Sequence, residues 1–214
     1  MSVSIAVIDY GAGNLRSIRR ALEAAGALVS ITSEPTQVLQ ADAVVFPGVG
    51  AAGASMDRLH ELGLVEVIGE VVAEGRPFLG ICLGMQLLFE HQEEGNTRGL
   101  GLLQGRVQSL SSTVKVPQIG WNRVRWIQDA AGYEHAAEDD FYFVHSYIVE
   151  PEDPRDVVAV SRYGDVFPSV VRHHHVWGTQ FHPEKSGPAG LRLISGWVDG
   201  VRETAGRSLV SVPA

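Results

Sequence analysis

Residues 78–86 read Phe78-Leu79-Gly80-Ile81-Cys82-Leu83-Gly84-Met85-Gln86, and Cys82 is the only cysteine among 214 residues. The stretch changes character at its thiol. Ahead of it, the short apolar run Phe78 to Ile81, opened by Pro77, reads as a buried strand. Behind it, Leu83 to His91 reads as a helix. A nucleophile on such a strand-to-helix turn adopts a strained backbone conformation, and flanking residues without Cβ atoms let strand and helix approach closely. The spacing Gly80-x-Cys82-x-Gly84 follows that logic. At the start of a helix Cys82 would meet the positive end of the dipole, which stabilises a thiolate. The Leu83 amide would point at the same spot and bind a developing oxyanion. Most lone cysteines are small buried hydrophobes; the two glycines favour the reactive reading.

The pattern around this turn predicts an α/β fold. Ile5 to Ile8, Leu28 to Ile31 and Ala43 to Phe46 are β-branched or apolar runs. Between and after them lie helical patterns at Leu15 to Ala25, ended by Gly26, and at Ser55 to Ala73, interrupted by Gly63 and Gly69. Strands that are apolar on both faces and alternate with helices imply a mostly parallel sheet covered on both sides. The second half shows closely spaced strands at Arg123 to Ile127, Asp140 to Val144, Val157 to Val160, Ser169 to Arg172 and Val176 to Gln180. These read as antiparallel additions to the sheet. An amphipathic helix over Ala189 to Arg202 closes the pattern, with Ser208 to Ala214 as a frayed tail and Tyr133 to Asp139 as an acidic surface loop. The whole reads as a single domain over residues 1–214.

Composition narrows the function classes. The chain is 45% hydrophobic with a formal charge of −8. It shows no basic stripe of the kind that displaces counterions from a nucleic-acid backbone. The N-terminus lacks a signal peptide's basic region, and the uncharged run Phe78 to Phe89 is too short to cross a bilayer. A single cysteine fits a reducing compartment, so the expected location is the cytoplasm.

A nucleophilic cysteine needs a base, and Gly178-Thr179-Gln180-Phe181-His182-Pro183-Glu184 offers one. In an extended segment His182 and Glu184 face the same side, so Glu184 can orient an imidazole that serves Cys82 as base and a leaving group as acid. The run His173-His174-His175 suggests a metal, but consecutive strand residues alternate in direction and no ligand cluster accompanies them, so no metal or cofactor is expected. Phe46-Pro47-Gly48-Val49-Gly50 lies at the carboxyl end of a predicted parallel strand, where open α/β sheets place their ligands. Gly11-Ala12-Gly13-Asn14 is no dinucleotide fingerprint, because Ser17 and Ile18 stand where a third glycine is needed.

Gly80 to Gln86 with His182-Pro183-Glu184 resembles the class I (triad) glutamine amidotransferases, in which a Cys-His-Glu triad hydrolyses glutamine. Further segments narrow the resemblance: Asp9 to Ser17, Phe46 to Gly50, Pro117 to Asn122, Phe143 to Tyr147 and Gly178 to Ser186 are similar to the glutaminase subunits of imidazole glycerol phosphate synthases, enzymes of histidine biosynthesis. The likeness runs from about Ile5 to Trp197. It implies Cys82, His182 and Glu184 as the triad, with the Val49 and Leu83 amides as the oxyanion hole and a Gly48-Val49 peptide that reorients on activation. It also implies glutamine held by Gly48, Gly50, Gln86 and the backbone around His145, Ser146 and Tyr147. The implied partner is a separate (β/α)8-barrel cyclase, forming a heterodimer that releases imidazole glycerol phosphate and AICAR. A barrel of that kind takes about 250 residues of its own. Asn14, Gln118, Trp121 and Asn122 are the candidate interface residues. The alternatives are a glutaminase subunit of anthranilate or aminodeoxychorismate formation, an idle regulatory module, and a free-standing cysteine peptidase or γ-glutamyl hydrolase. The Gly120-Trp121-Asn122 and Tyr10-Gly11-Ala12-Gly13-Asn14 segments favour the histidine pathway, and an intact triad disfavours the idle module.

Overall fold

Cys82 ends the fourth of five parallel strands in a mixed sheet. The computed structural model describes residues 2–210, with side chains through residue 206. The first half alternates as anticipated: β1 (Ser4–Ile8), α1 (Leu15–Ala24), β2 (Leu28–Thr32), α2 (Pro35–Gln40), β3 (Ala43–Gly48), α3 (Ala52–Glu61), α4 (Leu64–Ala73), β4 (Phe78–Cys82) and α5 (Leu83–Gln86). Then follow β5 (Phe89–Gln92), β6 (Thr97–Arg98), β7 (Leu103–Ser109), β8 (Gln118–Trp126), β9 (Glu138–His145) and β10 (Tyr147–Pro151). The chain ends with β11 (Val157–Tyr163), β12 (Asp165–His173), β13 (Val176–Thr179) and α6 (Gly187–Val210).

Among the described residues nine strands form the main sheet, in the order β2-β1-β3-β4-β13-β12-β11-β8-β9. The joint between its halves is β13, parallel to β4 and antiparallel to β12. Of the C-terminal strands, β13 therefore completes the parallel half, while the others are antiparallel additions. The register Gly178↔Gly80 and Thr179↔Ile81 brings the ends of β13 and β4 side by side, which delivers His182 to Cys82. Gly178 permits this closeness, because a Cβ there would run into the Met85 side chain.

Alternate residues of the parallel strands feed two cores. Ile5, Val7, Val45, Leu79 and Ile81 pack with Trp197 and Val198 of α6 on one face. Ala6, Ile8, Val44, Phe46 and Phe78 pack with Leu59, Ile68 and Val71 of α3 and α4 on the other. Each fully buried Ile, Leu or Phe stabilises the fold by about 1.5–3 kcal/mol relative to exposure. The predicted helical stretch through Ser55 to Ala73 divides at Gly63, whose φ of +63° suits glycine, and runs unbroken through Gly69.

Besides Val176 to Gln180, expected as an antiparallel addition but paired in parallel with β4 by its strand β13, four further expectations change. The helix after Cys82 stops at Gln86 rather than His91, because Leu87, Leu88 and Phe89 are all buried and their carbonyls face a neighbouring segment. Leu100 N–H donates to the Leu87 carbonyl, and Leu102 and Leu103 N–H donate to that of Leu88. This segment seeds a second sheet, β10-β7-β5-β6, which the strand patterns did not indicate. The Tyr133 to Asp139 loop is anchored: Tyr133 is buried, stacks on Trp126 at 4.4 Å and donates its hydroxyl to the Ala189 carbonyl at 2.9 Å. Finally, α6 continues through Ser208 to Val210, and Ser211 to Ala214 of the expected tail lie outside the described residues. No helix among the described residues is long and apolar enough to cross a membrane.

Candidate active site

Cys82 has φ +55° and ψ −112°, a conformation that costs a non-glycine residue about 1–3 kcal/mol. Its neighbours impose it. A Cβ at Gly84 would collide with the Phe46 carbonyl, and one at Gly80 would stand 2.7 Å from the Gly84 carbonyl oxygen, so strand β4, turn α5 and strand β3 are pressed together. Gly48 faces Cys82 in the β3–β4 register, and a Cβ there would lie 2.8 Å from the Gly84 nitrogen. The thiol donates to the Val144 carbonyl at 3.5 Å and receives the Gln180 amide at 3.9 Å. Because α5 is only four residues long, the dipole behind the thiol is short. The stronger cation beside it is His182.

His182 is anchored by its backbone, with its N–H donating to the Tyr142 carbonyl and its carbonyl accepting the Ser186 hydroxyl at 2.6 Å. Its Nδ1 lies 3.0 Å from Glu184 Oε1. The pair forms through a 3-10 turn over Pro183–Lys185, not through the extended segment expected from the sequence. Burial alone pushes the imidazole pKa down, but the Cys82 sulfur and the Glu184 carboxylate outweigh it and hold it up at about 9. The geometry places His182 to stabilise a thiolate and, in its protonated form, to release a proton to a leaving group.

The triad opens into a pocket of about 310 Å³. Val49, Gly50, Leu83, Gln86, His145, Ser146 and Tyr147, all singled out in the sequence, line it, and Gly48 stands behind its wall. Gln86 faces the pocket as an acceptor, because its amide nitrogen already donates to the Tyr147 carbonyl at 3.0 Å and to Gln180 Oε1 at 3.1 Å. Burial pushes His145 down to about 4, reinforced by the nearby His182 and opposed by the Tyr147 carbonyl. Nδ1 of His145 lies 2.9 Å from that carbonyl and Nε2 lies 2.9 Å from Gln118 Oε1, so the neutral imidazole, with one N–H, donates to one of these two oxygens. Gln118 is therefore buried support for His145, contrary to its expected place on a docking surface.

Sequence reasoning missed Glu94, the one carboxylate among the lining residues, which opens a 3-10 turn over Glu94–Asn96 and accepts the Ala52 N–H at 2.7 Å. It also missed Lys185, Gln180 and Tyr10. Tyr10 is buried behind the glycine loop, where burial pushes its phenol up to about 12 and the Ser55 hydroxyl and Val49 N–H face it. None of these approaches has regular hydrogen-bond geometry. The acidic run Glu93-Glu94 was the only local signal for Glu94. Of the remaining interface candidates, Trp121 is 60% exposed and meets Tyr142 edge-on. Asn122 donates to the Arg162 carbonyl, and Asn14 sits at the N-terminus of α1.

Across residues 6–198 the chain matches the model of the family described as glutamine amidotransferase class-I. The chain belongs to that family. Among curated amidotransferase relatives, "Imidazole glycerol phosphate synthase subunit HisH" of Aquifex aeolicus is 50% identical over 191 residues, 88% of this chain and 92% of its own length. The protein of the same name from Halobacterium salinarum is 46% identical over 204 residues, 92% of this chain and 93% of its own. A chain in the structure of PurLQS from Thermotoga maritima shares the amidotransferase fold, with a TM-score of 0.75 at 18% identity, covering 94% of this chain and 100% of that one. Membership in the amidotransferase family removes the cysteine-peptidase alternative.

Proposed function

We propose that Cys82, His182 and Glu184 hydrolyse L-glutamine to glutamate and ammonia. The chain is the glutaminase subunit of an imidazole glycerol phosphate synthase, working as one domain. The observation that carries the chemistry is the convergence of a strained, buried cysteine with a histidine paired at 3.0 Å to a buried glutamate.

The Cys82 thiolate attacks the side-chain carboxamide carbon. The resulting oxyanion is taken up by the Leu83 N–H and, once the Gly48-Val49 peptide has turned, by the Val49 N–H. His182 protonates the departing nitrogen, which leaves as ammonia and a γ-glutamyl thioester on Cys82. Neutral His182 then takes a proton from water, the hydroxide attacks the thioester, and glutamate is released with Cys82 restored. Glu184 orients the imidazole throughout. Glu94 and the Gln86 oxygen receive the substrate's α-ammonium, while the backbone of Ser146 and Tyr147 meets its carboxylate. These groups complete the reaction without a metal or cofactor.

The ammonia passes to a separate (β/α)8-barrel cyclase in a cytoplasmic heterodimer, which forms imidazole glycerol phosphate and AICAR for histidine synthesis. In open water ammonia becomes ammonium and loses its lone pair, so a covered mouth is chemically required. Val49 in the pocket lining, and Val116, Ile119 and Trp121 on the segment around the pocket-lining Pro117, are exposed apolar side chains and support docking there. The test is glutamate release by the purified chain, alone and with a candidate cyclase loaded with its ribonucleotide, alongside Cys82→Ala. Activation by the loaded cyclase that vanishes in the variant upholds the reading. Strong activity indifferent to the cyclase overturns the subunit assignment.

A further inference from the structure

Gln180 is fully buried and carries no charge, yet its side chain reaches the nucleophile. It follows the last residue of β13, where its backbone N–H donates to the Ser169 carbonyl at 2.9 Å. Its carboxamide lies between Gln86 and Cys82, and its orientation is dictated from outside. The Tyr147 carbonyl can only accept, so Gln86 must present its NH2 group there, and that same nitrogen then donates to Gln180 Oε1. With its oxygen occupied by Gln86, Gln180 can offer only N–H to the sulfur. Gln92 steadies the start of this relay by donating to the backbone carbonyls of Gln86 and Phe89 at 2.8 and 3.0 Å.

The sulfur's two neutral contacts respond oppositely to ionisation. The Val144 carbonyl accepts from the protonated thiol and repels a thiolate, whereas an N–H donor strengthens its bond as the sulfur gains charge. We infer that Gln180 is a positioning residue for the nucleophile: its amide, locked by Gln86 and the Tyr147 carbonyl, favours the ionised Cys82 sulfur and holds it away from the Val144 carbonyl. The relay also ties the glutamine pocket to the thiol, because Gln86 both lines the pocket and orients Gln180. The other titratable or charged groups around the sulfur are His182 beyond β13, Tyr10 beyond β1, and His145, Glu94 and Lys185 in the same pocket. The inference rests on the glutaminase reading only for its catalytic consequence.

The test is the pH profile of Cys82 alkylation by iodoacetamide in the purified chain, which needs neither glutamine nor a partner. Gln180→Met, close in shape but without the donor, is expected to raise the midpoint by about one pH unit, leaving about tenfold less thiolate at lower pH. A folded variant whose midpoint coincides with that of the unaltered chain overturns the inference. If the variant does not fold, the unaltered chain decides: the Gln180 side-chain amide resonance should move as the thiol ionises and stay still in Cys82→Ala. A resonance indifferent to the thiol overturns the inference equally. A shifted thiol profile in a chain that releases no glutamate with any cyclase keeps the role of Gln180 and loses the glutaminase reading. An unshifted profile in an active enzyme loses the role alone.

Discussion

His182 Nδ1 stands 3.0 Å from Glu184 Oε1, with side-chain exposures of only 4% and 1%. In so dry a site the carboxylate acts on the imidazole with little solvent screening, and it fixes which ring nitrogen faces Cys82. The arrangement leads to four predictions beyond Gln180.

Glu184→Gln keeps the shape and removes the charge. Glutaminase activity in the complex is expected to fall by about 100- to 10,000-fold, the range that positioned acid–base catalysis contributes. The variant should also change how stability depends on pH. The folded pKa of His182, about 9, lies above its ordinary value of 6.5. Its contribution is therefore fully present below about 6.5 and fades as pH rises through about 9. Thermal unfolding from pH 6 to 10 should show a decline in this window that is shallower in Glu184→Gln, and parallel curves would contradict the charge pairing.

Gly84→Ala places a methyl group against the Phe46 carbonyl, a backbone atom that cannot step aside. A loss of about 1–3 kcal/mol or more in unfolding free energy is expected, read from denaturant midpoints. Gly69→Ala is the control, since nothing lies within 4 Å of its Cβ position and the residue is inside α4. It should stabilise by about 0.5–1 kcal/mol.

Glu94→Gln keeps an acceptor for the Ala52 N–H while removing the negative charge from the pocket. Replacing a charge-assisted contact to the α-ammonium should raise KM for glutamine about 10- to 100-fold, with a much smaller effect on kcat. An unchanged KM would take Glu94 out of substrate binding.

Trp121→Ala should weaken association with the cyclase at least tenfold, as truncation of a buried aromatic anchor does. The Cys82 alkylation rate of the isolated chain should not move. Isothermal calorimetry reads the first quantity, and an unaltered association constant would confine Trp121 to its contact with Tyr142.

The elbow at Cys82 was legible because its cause is local: residues 80 and 84 must lack a Cβ wherever that turn forms. Strands β1, β3 and β4 were legible for a similar reason, since burial on both faces of a parallel sheet forces uninterrupted apolar runs, whereas the half-exposed edge strand β2 was legible from its β-branched residues. Leu87-Leu88-Phe89 was different. Three consecutive apolar residues fit a buried helix or a buried strand, and carbonyl partners at Leu100 to Leu103 made the choice. Gln118 looked like a surface polar residue until His145, 27 positions away, gave its amide a buried partner.

The candidates for nucleophile, base and orienting acid, and the α/β class around them, follow from residue types at short spacing. Their convergence does not. Cys82 and His182 are 100 residues apart in the chain, and they meet because β13 leaves the antiparallel strands to pair in parallel with β4. The same crossing carries Gln180 beneath the thiol and aligns it with Gln86 and Tyr147. Strand pairing across such separations depends on which edge remains unpaired and which core remains open, a property of the assembled chain rather than of any window within it.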